Sequence, residues 1–125
     1  MMILQRLRSV YEDPYSLAER YYAILSALNN LKLTDREVQL IAFTSVMESI
    51  SIPAVRKEFC EAHNTTPATI NNMISKLKKM YLLTKMDNKI VVNPLIQLNF
   101  DKDVKLEISL VHRQAPEPVS EKLSD

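Results

Sequence analysis

Polar side chains at helical spacing, with no acidic residue among them, characterise the stretch TTPATINNMISKLKKMYLL, which begins at Thr65. Asn can form a pair of hydrogen bonds with adenine, Thr and Ser can bond base edges or phosphates, and Lys neutralises phosphate charge. If Ile70, Ile74 and Leu77 form the buried face of a helix, the polar side chains point outward. A solvated surface would look similar when taken alone. The outward set is Ala68, Thr69, Asn71, Asn72, Ser75, Lys76 and Lys79.

Helix-start signals divide the first two thirds of the chain. A small polar residue suits the N-cap position, and Pro suits the first helical position because its missing N–H is not needed there. Glu three residues after a Thr cap completes a capping box, in which each side chain accepts the other's backbone N–H. The predicted starts are Asp13-Pro14, Thr34 with Glu37, Pro53, and Thr66-Pro67.

The apolar pattern predicts which helix lies at the centre of the core. The helix after Thr34 is apolar around most of its circumference, which is typical of a central buried helix. The first helix places one apolar stripe at helical spacing, and the third is expected to bury four side chains. The stripe is Leu17, Tyr21, Ile24, Leu25 and Leu28, and the four side chains are Val55, Phe59, Cys60 and Ala62.

Strand-like patterns follow the last helix. Residues 81–86 and 89–93 flank Asp87-Asn88, two residue types that tolerate positive φ, and this predicts a β-hairpin. Residues 104–110 alternate apolar and polar side chains, as a half-buried strand does. This segment could be a third strand of the hairpin sheet or could pair with the N-terminal stretch of a partner. The tail at 113–125 is polar and contains Pro, and we expect it to be disordered.

The order helix, helix, short turn, helix, hairpin over residues 34–93 resembles the winged helix-turn-helix family. The segment AVRKEFC from Ala54 corresponds to the first helix of the pair. TTPATI, from Thr65, resembles the Ser/Thr-x-x-Thr-Val start of a recognition helix, and Leu82-Leu83 resembles the Leu-Ile that begins the first wing strand. Tyr81 departs from the family, which commonly has Gly there. The expected fold is mainly α with a small β-hairpin: an N-terminal helical extension (1–32), then a winged-helix domain (33–112).

The resemblance implies a small regulator of transcription that binds double-stranded DNA. The helix from Pro67 to Met80 would enter the major groove, and the hairpin would flank it. The N-terminal helix could form a homodimer. A structural or assembly protein, such as a phage virion or replication-complex component that binds protein, is the alternative. The DNA-contact residues expected beyond the outward set are Thr65, Thr66, Lys85, Asn88 and Lys89.

The charge distribution and the amino-acid composition indicate which kinds of functional site the chain can contain. The net charge is +1, but residues 53–89 contain seven basic and three acidic residues, so this part has a net charge of +4 and the rest −3. The absence of Gly argues against Gly-rich phosphate loops. One Cys and two distant His give no metal-ligand spacing, and no catalytic constellation is recognisable. We therefore expect no enzyme activity, cofactor, metal or membrane span, and a cytoplasmic protein similar in style to those of phages and mobile elements.

Overall fold

A computed structural model of the protein describes residues 3–113. This part of the chain contains four helices, followed by two strands that form an antiparallel sheet. The predicted fold class, mainly α with a small β-hairpin in a winged-helix-like order, is therefore confirmed. The predicted disorder of the tail concerns residues that lie, except for Arg113, outside the described range. The elements are α1 (Pro14–Leu28), α2 (Asp35–Met47), α3 (Pro53–His63), α4 (Pro67–Lys79), β1 (Leu83–Met86) and β2 (Lys89–Val92).

The predicted helix starts are confirmed at all four positions. The Thr34 hydroxyl accepts the Glu37 N–H at 3.1 Å and the Glu37 carboxylate accepts the Thr34 N–H at 2.9 Å, so the capping box is complete. The Asp13 carboxylate accepts the Ser16 N–H at 3.2 Å, and the Thr66 hydroxyl accepts the Thr69 N–H at 3.2 Å. Helices α1, α3 and α4 each begin at a Pro.

Helix α2 is the centre of the core, as its apolar circumference predicts. Leu40 and Ile41 are fully buried, and α2 packs against α1, α3 and β2. Phe43 of α2 meets Phe59 of α3 in an edge-on ring contact with centroids 5.3 Å apart. From α1, Tyr22 enters the core and donates its hydroxyl hydrogen to the Ile96 carbonyl at 2.8 Å. The core therefore joins the first helix to the chain segment that follows β2.

The predicted buried faces of α1 and α3 are partly wrong. Helix α1 buries Ala18, Tyr22 and Ser26 most deeply. Of the predicted stripe, Leu17, Tyr21 and Leu25 are partly buried against the core, whereas Leu28 is 56% exposed. Small Ala and Ser side chains let α1 approach α2 closely, and the tyrosine hydroxyl has partners inside. Because apolar residues occur on almost every side of α1, their spacing alone does not identify this face. In α3, Val55 and Phe59 are buried as predicted, but Cys60 is only partly buried and Ala62 is exposed.

The hairpin forms as predicted, in the register that places Leu83 opposite Val92 and Met86 opposite Lys89. Asp87 and Asn88 have φ values of 53° and 64°, which two-residue hairpin turns of type I′ require. On the outer edge of β2, the Ile90 carbonyl accepts the Ile50 N–H at 3.0 Å, and the Ile90 N–H donates to the Ser51 hydroxyl at 2.7 Å. The connection between α2 and α3 therefore covers this edge.

The predicted strand at residues 104–110 does not form in the single chain. Phe100 is buried and contacts the Tyr21 ring, but residues 103–113 contain no helix or strand. A third strand beside β2 is excluded because Ile50 and Ser51 occupy that edge. Residues 3–12, at the other end of the described chain, also contain no helix or strand.

Candidate nucleic-acid interface

Helix α4 has one buried face and one free face. Its buried side chains are Ile70, Met73, Ile74 and Leu77. At 3.6 residues per turn, the opposite side of the helix is formed by positions i, i+4, i+7 and i+11. We call these four residues the outer row; all are exposed, and their side chains have no polar partner within residues 3–113. The outer row is Ala68, Asn72, Ser75 and Lys79.

The turn between α3 and α4 is tight and internally bonded. Asn64 ends α3 in the left-handed conformation with φ of 51°, and the Thr65 N–H donates to the Cys60 carbonyl at 3.1 Å. The Thr66 hydroxyl lies 3.0 Å from that of Thr69, in addition to accepting the Thr69 N–H. Of the residues expected to hold a phosphate here, Thr65 is half-buried and Thr66 is occupied by its capping role. Thr69 is exposed at the start of the helix.

On one side of the outer row, Arg56 of α3 forms a hydrogen bond with α4. Its guanidinium donates to the Ile50 carbonyl at 2.7 Å and to Asn71 Oδ1 at 2.7 Å. Because Arg has donors only, the amide atom facing it is the oxygen, and Asn71 turns its NH₂ group to solvent. Recognition of adenine uses both amide atoms of Asn, so Asn72 is better placed for it than Asn71. Sequence reasoning omitted Arg56 from the site because its partner lies 15 positions away.

On the other side of the outer row, Glu37 of α2 forms an ion pair with α4. Lys76 Nζ lies 2.8 Å from Glu37 Oε2, and the glutamate side chain is only 7% exposed. Burial acts to raise the pKa of Glu37, but the hydrogen bonds from Lys76 and the Thr34 N–H outweigh it and hold that pKa below its ordinary value. The charge of Lys76 is therefore largely compensated. Lys76, which the sequence predicts as a DNA contact, therefore also supports the α2 capping box.

The remaining cations around α4 are free of acidic partners within residues 3–113. Lys79 lies in the outer row, while Lys85 and Lys89 are exposed on the hairpin beside the Asn88 turn. Lys57 on α3 and Lys78 on α4 are also exposed, although sequence reasoning left both out of the site. Exposed cations thus lie on α3, α4 and the hairpin, together with three exposed acidic residues, Glu58 and Glu61 on α3 and Asp87 in the hairpin turn.

His63 makes contacts that join α3 to α1 and α2. Its Nε2 lies 3.4 Å from the Tyr15 hydroxyl, its ring lies 4.4 Å from that of Phe59, and its carbonyl accepts a hydrogen bond from Arg36. Burial and the Arg36 charge lower the pKa of His63. Residues 3–113 contain no group of three His, Cys, Asp or Glu side chains that could hold a metal ion. Within the same residues, none of the helices has the length and apolar character to cross a membrane.

Comparisons with known proteins find no match to a protein-family model, to a curated protein or to a solved structure.

Proposed function

We propose that the protein binds double-stranded DNA, with α4 in the major groove and the β1–β2 hairpin beside it, and acts as a small cytoplasmic regulator of transcription. The observation that supports this best is the outer row of α4. Its side chains are exposed, include no acidic residue and have no polar partner within residues 3–113, and α4 is bonded to α3 through Arg56 and to α2 through Glu37. A helix with one free polar face, held firmly to its domain, is suited to reading base edges.

Charge supports the same surface. Lys79, Lys85 and Lys89 lie on the exposed side of α4 and the hairpin without acidic partners among the described residues. Cations that contact phosphate release counterions from DNA, which gives binding that weakens steeply with salt. Asn72 and Ser75 supply the side chains that can distinguish bases. This division between positioning and reading is the usual one in protein–DNA interfaces.

A second candidate is a structural or assembly protein that binds protein partners. The specific observation in its favour is apolar exposure at both ends of the described chain. Ile3 and Leu7 are 88% and 87% exposed, and Leu110 is 86% exposed. Exposed apolar clusters of this kind commonly mark interaction surfaces. In this case the α4 face would be ordinary solvated surface.

The deciding experiment is fluorescence anisotropy of the full chain with a random DNA duplex, first at low and then at moderate salt. We expect binding whose logarithm falls linearly with the logarithm of salt concentration. Lys79→Ala should weaken binding to every duplex and lower the salt slope by about 1, since one phosphate contact is lost. A Lys85→Ala, Lys89→Ala double variant should lower the slope by about 2 if both hairpin cations contact phosphate.

Lys102→Ala is the matched control, because Lys102 is exposed and lies outside α4 and the hairpin. It should leave both affinity and slope unchanged. Lys76→Ala is a poor test, since it would also leave the buried Glu37 carboxylate without its cation. Absence of binding at low salt, or equal losses in Lys79→Ala and Lys102→Ala, would overturn the proposal and favour the protein-binding candidate.

A further inference from the structure

Apolar exposure is concentrated in the two end segments of the described chain. Of the thirteen exposed large hydrophobic side chains in residues 3–113, eight lie within residues 3–10 and 106–111. Isolated surface hydrophobics are normal, but their concentration in two short segments points to an interaction surface. The eight are Ile3, Leu4, Leu7, Val10, Leu106, Ile108, Leu110 and Val111.

Residues 104–110 have the alternating pattern of a β-strand but pair with no strand in the described chain. Residues 104–110 alternate in type, and Lys105 and Glu107 lie on one side, with their charged atoms 3.6 Å apart. Leu106 and Ile108 are 40% and 51% exposed. No backbone hydrogen bond joins residues 103–112 to another described residue. Buried Phe100 anchors the start of the segment, so it leaves the core at a fixed place.

The sequence of this segment is complementary to itself in one antiparallel register. With a two-fold axis at Leu106, Lys105 of each copy faces Glu107 of the other, and Val104 faces Ile108. Both charge pairs then lie on one face and the apolar pairs on the other. Moving the axis to Glu107 or to Lys105 instead places like charges opposite each other, which is destabilising.

We propose that residues 104–110 pair with the same segment of a second copy of this chain, forming a two-stranded antiparallel ribbon across a two-fold axis. Such an interface is isologous, as in most homodimers. An isolated two-stranded ribbon is only marginally stable, so its apolar face needs a cover. The exposed N-terminal segment, with Ile3, Leu7 and Val10, supplies apolar side chains for this cover. The dimer does not depend on the proposed DNA binding.

A charge swap tests the register. By sedimentation velocity without DNA, the full chain should sediment as a dimer that dissociates on dilution. Lys105→Glu and Glu107→Lys each convert two attractive cross-strand pairs into repulsive ones, and each should raise the dimer dissociation constant about tenfold. The double variant restores opposite charges and should recover the original value. Both side chains are at least 79% exposed, so the monomer should fold in each variant.

Cross-linking tests the axis directly. Leu106 faces its own copy across the axis, so Leu106→Cys should form an intermolecular disulfide under mild oxidation. Ser109→Cys, whose partner would be Asp103, should not, and Cys60→Ala serves as the background for both. A monomer at about 100 μM would overturn the proposal, as would a dimer that both single charge variants leave unchanged or one that cross-links equally at positions 106 and 109.

Discussion

Asn71 and Asn72 are adjacent residues of the same type, yet the fold gives them different chemistry. The side-chain oxygen of Asn71 accepts a hydrogen bond from Arg56, whereas both amide atoms of Asn72, in the outer row, have no partner among the described residues. A residue's place on the helix thus determines its chemistry at the surface more than its type does.

If α4 reads DNA, Asn72→Ala should remove a preference for adenine worth about 1–3 kcal/mol. Asn71→Ala should change base preference less, since Asn71 presents mainly a donor group. Competition between a preferred duplex and its single-base variants, once selection from a random library has identified that duplex, measures both effects. An Asn72→Ala protein with unchanged preference at every position would contradict the assignment of the outer row.

Glu37 links two helices through one carboxylate, and its protonation should therefore affect stability. Its lowered pKa means that the ionised form is favoured by folding. The stabilisation is present above the ordinary pKa of 4.5 and is lost as pH falls through the lower folded value. Glu37→Gln should cost about 1 kcal/mol of unfolding free energy at pH 7, because Lys76 is half-exposed and screened.

Urea unfolding at pH 7 and at pH 3 measures this difference. We expect the gap between the wild-type protein and Glu37→Gln to shrink at pH 3. Glu61→Gln is the control, because Glu61 is an exposed glutamate on α3 without an acidic or basic partner in the described chain. A gap that is equal at the two pH values would rule out the ion pair as its source.

At the scale of elements, the junction between α4 and β1 depends on Tyr81. This residue has φ of 62°, in the left-handed region, and is 79% exposed. Its N–H donates to the Lys78 carbonyl at 3.0 Å, and its carbonyl accepts the Asn93 side chain at 2.7 Å. The departure from Gly therefore leaves the chain path intact, but a side chain with Cβ is strained in this conformation.

Tyr81→Gly should raise the free energy of unfolding by about 0.5–1 kcal/mol, because the relief of left-handed strain exceeds the entropy cost of Gly. Tyr81→Ala removes the same exposed ring but keeps Cβ, so it should give no gain. Thermal or urea unfolding of the three proteins decides between them. Equal stabilities for the Gly and Ala variants would show that the junction is not strained.

At the scale of the whole molecule, short sequence patterns predicted the helices and the hairpin, whereas the geometry of the candidate site depends on contacts between residues far apart in the chain. The capping side chains Asp13, Thr34 and Thr66 act within three residues, so the sequence reveals the helix starts. Asp87-Asn88 likewise determines its own turn. The helix period also predicted the exposed face of α4 correctly.

The side-chain contacts that join α4 to α2 and α3 could not be predicted in this way. Arg56 meets Asn71 and Glu37 meets Lys76 across 15 and 39 positions of the chain, and no periodic pattern encodes such pairs. The same reason explains why residues 104–110 form no strand in the single chain. Their alternation shows that they can form a strand, but whether they do depends on an edge elsewhere, and Ser51 already occupies the outer edge of β2.

The two hydrogen bonds of Arg56 have a mechanical consequence. Asn71 on α4 connects through Arg56 to the Ile50 carbonyl, and the Ile50 N–H connects to Ile90 of the hairpin. A continuous series of hydrogen bonds therefore joins the helix to the hairpin. A surface that is already ordered loses little conformational entropy when a ligand binds, and preorganisation of this kind improves affinity without adding a contact. Loss of the Arg56 hydrogen bonds would therefore weaken the binding of any ligand that contacts both the helix and the hairpin, even one that does not contact Arg56.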